Sequence, residues 1–223
     1  MVVRERQQFG FKILLAFILT LILFLLGIFV GFYLNQKKIE TIENLEKDLL
    51  VSLQDIDTLY TQINKSELCK SKKYLDYINN ELDKYAIKLT YLEESLGKNH
   101  EVVIRLKKPY NVLLIKHYLL MKEMEDCEKL VIILFFYSNR PEFIGLSENE
   151  GIILGHIREK YGVDKVKVYA LDVDLGLRTV ESIKEQYNIT SYPSLIINDK
   201  TYGYLNKEEL EKIVKELLTP NLS

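Results

Sequence analysis

Hydrophobic and polar positions alternate in three different ways along this chain. Residues 13–34 carry no charge at all over 22 positions. About 20 apolar residues, at 1.5 Å rise each, cross the roughly 30 Å hydrocarbon core of a bilayer. The pattern therefore predicts a transmembrane helix over 13–34, preceded by a basic arm at 1–12 that holds Arg4, Arg6 and Lys12. A cleaved leader has an apolar core of only about 7–15 residues followed by small residues. Here Asn35, Gln36, Lys37 and Lys38 follow, so the span is expected to be retained. Gly27 and Gly31 have the G-x-x-x-G spacing of a helix-dimerisation face.

From Ile39 the apolar positions become periodic. Ile39, Glu46, Leu53 and Tyr60 recur every seven residues, as do Ile42, Leu49, Ile56 and Ile63. This is an a/d-like seam on an amphipathic helix over 35–64. It serves either as a stalk that pairs with a second copy or as a face laid on the helices that follow. Leu75, Ile78, Leu82, Tyr85, Leu89, Leu92 and Leu96 then form a buried stripe. Ser66 can cap that helix, and Gly97, Lys98 and Asn99 stop it. Apolar positions from Val102 to Met124 predict a return helix, and Pro109 is expected to kink or divide it. The segment 65–127 is thus an antiparallel helical hairpin.

The third regime starts at Leu130, where the apolar run 130–137 has strand character. The pattern then predicts a helix over 148–161, a strand over 166–172, a helix over 177–187 and a strand over 193–198. A short strand at 201–204 and a helix at 206–217 complete this region, 128–218, and 219–223 is a tail. The helices between the first three strands call for parallel, right-handed crossovers.

Composition changes little in this picture. A net charge of −2 and a pI near 6.0 give no reason to invoke nucleic acid, which calls for a clustered basic surface. A mean hydropathy of −0.04 averages one very apolar segment with a charged remainder. Lys and Arg near the span favour a cytoplasmic N-terminus and an extracytoplasmic C-terminal region. The two cysteines change more. Around Lys98 they are equidistant, since 98 − 69 = 29 and 127 − 98 = 29. Two antiparallel helices would therefore bring Cys69 and Cys127 level at the open end of the hairpin. A disulfide there closes a loop of about 60 residues and contributes roughly 4 kcal/mol in the chain-entropy picture; the alternative is two buried thiols.

Other chemistry is thin. His100, His117 and His156 show no metal-ligand spacing, and no glycine-rich phosphate loop follows a strand. Asp172 and Asp174 read as structural or solvated carboxylates at a strand end. Asn64 and Asn188 begin N-glycosylation sequons. The Lys/Glu-rich helix faces read as solvated surface. No cofactor and no metal is expected.

The order β-α-β-α-β-β-α over 128–218 resembles a thioredoxin domain. Asp172 to Asp174, followed by a helix ending near Ile189, looks like the segment before that family's cis-proline loop. Tyr192, Pro193 and Ser194, then Leu195 to Ile197, stand where the family has its Pro-Thr and apolar strand. The resemblance implies an α/β thioredoxin-like domain with a cis bond before Pro193 and a peptide-contacting loop at Tyr192–Ser194. One departure decides the chemistry. The family places C-x-x-C after its first strand, where the helix N-terminus lowers a thiol pKa. This chain has Asn139, Arg140, Pro141, Glu142 and Phe143 there, with no cysteine between Glu128 and Ser223. The family's buried acid on the first strand is lost too, at Leu134, Phe135 and Phe136. Exchange needs an attacking thiolate, so no catalytic residue is expected in this domain. The expected function is a membrane-anchored, redox-inactive binding or scaffold module for a peptide or protein. The alternatives are a thiol-disulfide oxidoreductase relative using a partner's cysteines or Cys69–Cys127, and an architectural membrane protein that homodimerises through its stalk.

Overall fold

A computed structural model of the chain describes residues 2–62, 72–124, 127 and 129–219. It divides into two compact units, Met1–Asp48 and Leu49–Ser223. In order, the elements are α1 (Val2–Gln62), α2 (Lys72–Leu96), α3 (Glu101–Glu123), β1 (Val131–Tyr137), α4 (Ile144–Tyr161) and β2 (Val166–Asp172). A 3-10 turn (Val173–Leu175) leads to α5 (Arg178–Gln186), β3 (Ser194–Ile197), β4 (Lys200–Tyr202) and α6 (Lys207–Leu218).

The first unit is the greater part of α1. Its apolar side chains, among them Phe17, Leu23, Phe29 and Leu34, are exposed. This helix, near the N-terminus, is long and apolar enough to cross a membrane. In the second unit the last part of α1 buries Leu49, Leu53 and Ile56. Tyr60 packs edge-on against His117 of α3 with ring centroids 6.2 Å apart, and Lys116 pairs with Asp57. From Leu49 to Tyr60, then, the heptad seam lies on helices of the same chain; Ile63 is outside the described residues.

Helices α2 and α3 run antiparallel. Gly97, at φ +94°, ends α2 in a backbone region that only glycine enters readily. His100 caps α3 by accepting the Val102 N–H at 3.3 Å. Tyr85 and Tyr110 stack at 4.7 Å, and each hydroxyl donates to a carbonyl of the other helix, Leu106 and Leu82 respectively. Pro109, expected to kink or divide α3, lies inside one continuous helix and does not divide it. A proline inside a helix costs about 3 kcal/mol. The burial of Leu106, Lys107, Asn111, Leu113, Leu114 and Ile115 on both sides of it holds the helix together.

The four strands form one mixed sheet in the order β2-β1-β3-β4. Strand β1 is buried on both faces, which explains its unbroken apolar run. Val131, Ile133 and Phe135 join Leu154 and Ile157 of α4 and Leu210 and Val214 of α6 in one core. Strands β1 and β2 are parallel, but β3 is antiparallel to β1; the expected second parallel crossover does not exist. Helix α5 has nine residues, about 14 Å at 1.5 Å per residue, and the connection 173–193 begins and ends at the same end of the sheet. Strand β3 enters beside Phe136, at the end where β2 leaves beside Tyr137. Helix α3 packs along β2, so hairpin and sheet share one unit.

Candidate functional site

The end of the sheet where β1 and β2 finish and β3 begins brings most of the sequence-selected residues together. After β1, Ser138 is fully buried, and its hydroxyl donates to the Asp174 carboxylate at 2.9 and 3.1 Å. The Asn139 N–H donates to Asp174 Oδ2 at 2.7 Å. The Arg140 N–H and Nε–H both donate to Ser138 Oγ at 3.2 Å, and Arg140 Nε lies 3.2 Å from Asp174 Oδ1. The Arg140 carbonyl accepts from Phe143 and Ile144, each at 2.9 Å, and so starts α4. One carboxylate therefore organises the whole turn.

A second carboxylate ties that turn to the hairpin. Asp172 is 3 % exposed; its Oδ2 accepts from Asn139 Nδ2 at 2.9 Å and from Lys107 Nζ at 2.8 Å. Lys107 also reaches Glu93 at 2.8 Å. The Asp172 N–H donates to Asn111 Oδ1 at 2.9 Å, and Asn111 Nδ2 donates to the Lys107 carbonyl at 3.1 Å. Burial by itself would push the Lys107 ammonium down. Tyr137, Asp172 and Glu93 more than reverse that and hold it above its ordinary value. Lys107 thus remains charged, between two acids, inside the protein. It corrects the expectation that every Lys/Glu-rich helix face is solvated.

Outside this polar frame lies an open depression of about 570 Å3, lined by Asn139, Arg140, Pro141, Asp174, Lys184 and Tyr192 together with Asn99 and Val173. The Arg140 guanidinium carbon stands 4.9 Å from the Phe143 ring centroid and 5.7 Å from that of Tyr192. Those two rings meet at right angles with centroids 5.5 Å apart. Lys184 sits 5.5 Å from the Tyr192 ring. Burial works to lower its pKa, but Glu181 and Tyr192 raise it overall. The depression thus offers cationic groups over aromatic surface, an arrangement suited to carboxylates and backbone carbonyls.

The remaining selected residues stand differently. Glu142 is exposed, 3.8 Å from Arg140, and Pro141 is exposed at the rim. Pro193 is buried, and the Tyr192–Pro193 peptide bond is cis. Ser194 is also buried and donates its hydroxyl to the Ser191 carbonyl at 2.7 Å, so it does not face the depression. Cys69 lies outside the described residues, and Cys127 lies near the end of α3. Asn188 has φ +54°; Asn64 is outside the described residues. No cluster of three or more His, Cys, Asp or Glu among the described residues could hold a metal. Sequence reasoning missed Lys107, Glu93 and Asn111. The signal for Lys107 was its place among the predominantly apolar buried positions of α3.

The chain matches no protein-family model, and no curated protein matches it. Two solved structures are weak neighbours. "Structure of a malarial protein" aligns at TM-score 0.32 and 18 % identity, over 40 % of this chain and 99 % of that one. A crystal structure of chloroplastic thioredoxin z aligns at TM-score 0.33 and 18 % identity, over 44 % of this chain and 86 % of that one.

Proposed function

We propose that the chain is a membrane-anchored, redox-inactive thioredoxin-fold protein that binds an extended peptide or protein segment at the Arg140–Tyr192 depression, on the extracytoplasmic side. One observation carries this. The loop that takes the place of C-x-x-C is a hydrogen-bonded turn closed by Asp174, and it presents Arg140 between Phe143 and Tyr192. A turn fixed in this way loses little conformational freedom when a partner docks. The apolar helix near the N-terminus supports the anchor. The strand order and the mixed pairing support the fold. The binding residues are Asn139, Arg140, Pro141, Phe143 and Tyr192, with Glu142 at the rim; Pro193 and Ser194 shape the loop from beneath.

Cys69 and Cys127 form a disulfide in this proposal, clamping the open end of the hairpin. No described cysteine is a free thiol, which supports the pairing. Burial of Leu49, Leu53 and Ile56 within their own chain weighs against a stalk that dimerises along its whole seam. The test is a photoreactive benzoyl-phenylalanine at position 141 of the membrane-embedded full chain. A defined crosslinked partner that disappears on Arg140→Ala and on Tyr192→Ala is expected. Crosslinking only to lipid or to nothing would count against the proposal. So would a crosslinked partner unaffected by both substitutions.

A further inference from the structure

The outer edge of β2 carries a second site, made of different residues and independent of the depression above. β2 ends the sheet. Two of its amides bond away from β1: Val166 N–H to the Gly162 carbonyl at 3.0 Å and Asp172 N–H to Asn111 Oδ1 at 2.9 Å. Backbone groups of a strand alternate in direction, so Val168 and Ala170 also turn their N–H and C=O outward. Among the described residues nothing bonds to them. Both residues line a cavity of about 320 Å3 between β2, the hairpin and α4, within the range of about 300–1,000 Å3 usual for ligand pockets. Leu82, Leu89 and Leu154 supply apolar wall.

The two ends of the cavity differ in charge. Beside the start of β2, Lys167 has neither an ion pair nor a hydrogen bond from the described residues; Asp83, which lines the same cavity, is taken by Arg158 at 2.6 Å. Burial lowers the Lys167 pKa and Arg158 adds to this, while Asp164, Asp76 and Asp83 oppose it. Beside the end of β2, Glu93 meets Lys107 through Oε1.

We propose that this edge binds a short extended peptide of about three residues. It lies antiparallel to β2, pairs its backbone with Val168 and Ala170, sets its C-terminal carboxylate on Lys167 and its N-terminal ammonium on Glu93. Two residues along a strand cover roughly 7 Å, which a tripeptide matches. Addition of a strand to an open edge draws affinity from main-chain hydrogen bonds, and the two ends fix direction.

The test adds an equimolar mixture of Ala-Val-Ala, Ser-Val-Ala and Ala-Leu-Ser, all with free termini, to detergent-solubilised full chain. Calorimetry and amide exchange are followed together. Binding should slow exchange at Val168 and Ala170, and Lys167→Met should weaken it about tenfold, as expected for a lost charge-assisted bond. Ala170→Pro should abolish it; proline is tolerated on a strand edge, and urea unfolding of that variant checks that it folds. If it does not fold, Lys167→Met decides. The proposal is overturned by no protection at saturating peptide, by binding unchanged in Lys167→Met, or by valerate binding as tightly as the peptides. The last result would mark a small-carboxylate site.

Discussion

In the loop after β1, the N–H groups of Asn139 and Arg140 end on oxygens of Asp174 and Ser138. Along the outer edge of β2, the N–H groups of Val168 and Ala170 end on nothing among the described residues. Both regions are backbone next to a cavity, yet one is closed by its own side chains and the other is left open. The difference comes from two acids two residues apart. Asp174 reaches back over the loop, and Asp172 draws Lys107 and Asn139 into one buried network. Among the described residues no carboxylate bonds the N–H groups of Val168 and Ala170. A loop with its polar groups satisfied is a rigid surface, whereas an edge with free groups is a template for another strand.

The comparison breaks most readily at Lys107. Lys107→Met leaves Asp172 and Glu93 facing each other without a cation. Removing one partner of a buried pair costs about 3–5 kcal/mol, to be read by urea unfolding. Adding Asp172→Asn to that variant should return part of the loss, because an uncompensated buried charge goes with it; no recovery would mean the network is not what holds the hairpin to the sheet. Asp174→Ala should cost less, about 1–3 kcal/mol for unsatisfied donors. Its mark is faster exchange at the Asn139 and Arg140 amides, with the β2 amides unchanged.

Acid and base should act on two further buried groups, neither of which belongs to the loop. His117 bonds Tyr169 Oη through Nδ1 at 2.8 Å, and burial, then Lys167, pushes its pKa down to about 3. Its contribution to stability is complete above the unfolded value of about 6.5 and is lost as pH falls towards 3. Glu150 accepts the Leu205 N–H at 3.0 Å. Burial pushes this acid up to about 7, Leu205 opposes that, and Glu209 adds to it. Its contribution is complete below the unfolded value of 4.5 and is lost as pH rises through about 7. Glu150→Gln should therefore leave stability at pH 5 nearly unchanged and raise it at pH 8, followed as Tm. Equal shifts at both pH values would show that Glu150 stays ionised in the fold. The smallest stability effect belongs to Arg140→Lys. It should change stability by no more than about 0.5 kcal/mol while weakening partner capture, because lysine lacks the planar stacking surface.

Much of the fold was legible because burial imposes periodicity. The stripe from Leu75 to Leu96 and the run of β1 can be read from the sequence alone; Leu75 to Leu92 of the stripe and Val131 to Phe136 are buried as expected, while Leu96 and Tyr137 are half-buried. Strand direction has no such signature. The antiparallel entry of β3 is seen only in the pairing itself, since the connection 173–193 returns to the end of the sheet where β2 finishes. The sequence reading overestimated α5 by a residue at each end. At Pro109 the expected division of the helix did not occur, because the residues on both sides of it are buried. At the candidate site, Asn139, Arg140 and Tyr192 were found through the place of the loop in the chain. Lys107 was not, since a lysine on a helix looks solvated until a strand end brings Asp172 against it. Ser194 was chosen for its neighbour, Pro193, but its hydroxyl turns inward.

The most direct test is native-state hydrogen exchange on the full chain in detergent, comparing the Asn139 and Arg140 amides with those of Val168 and Ala170. The account predicts slow exchange at the first pair, near that of the β1 core, and fast exchange at the second pair. Fast exchange at Asn139 and Arg140, at the rate of an open peptide, would contradict a loop fixed by Asp174 and with it the rigid binding surface proposed here.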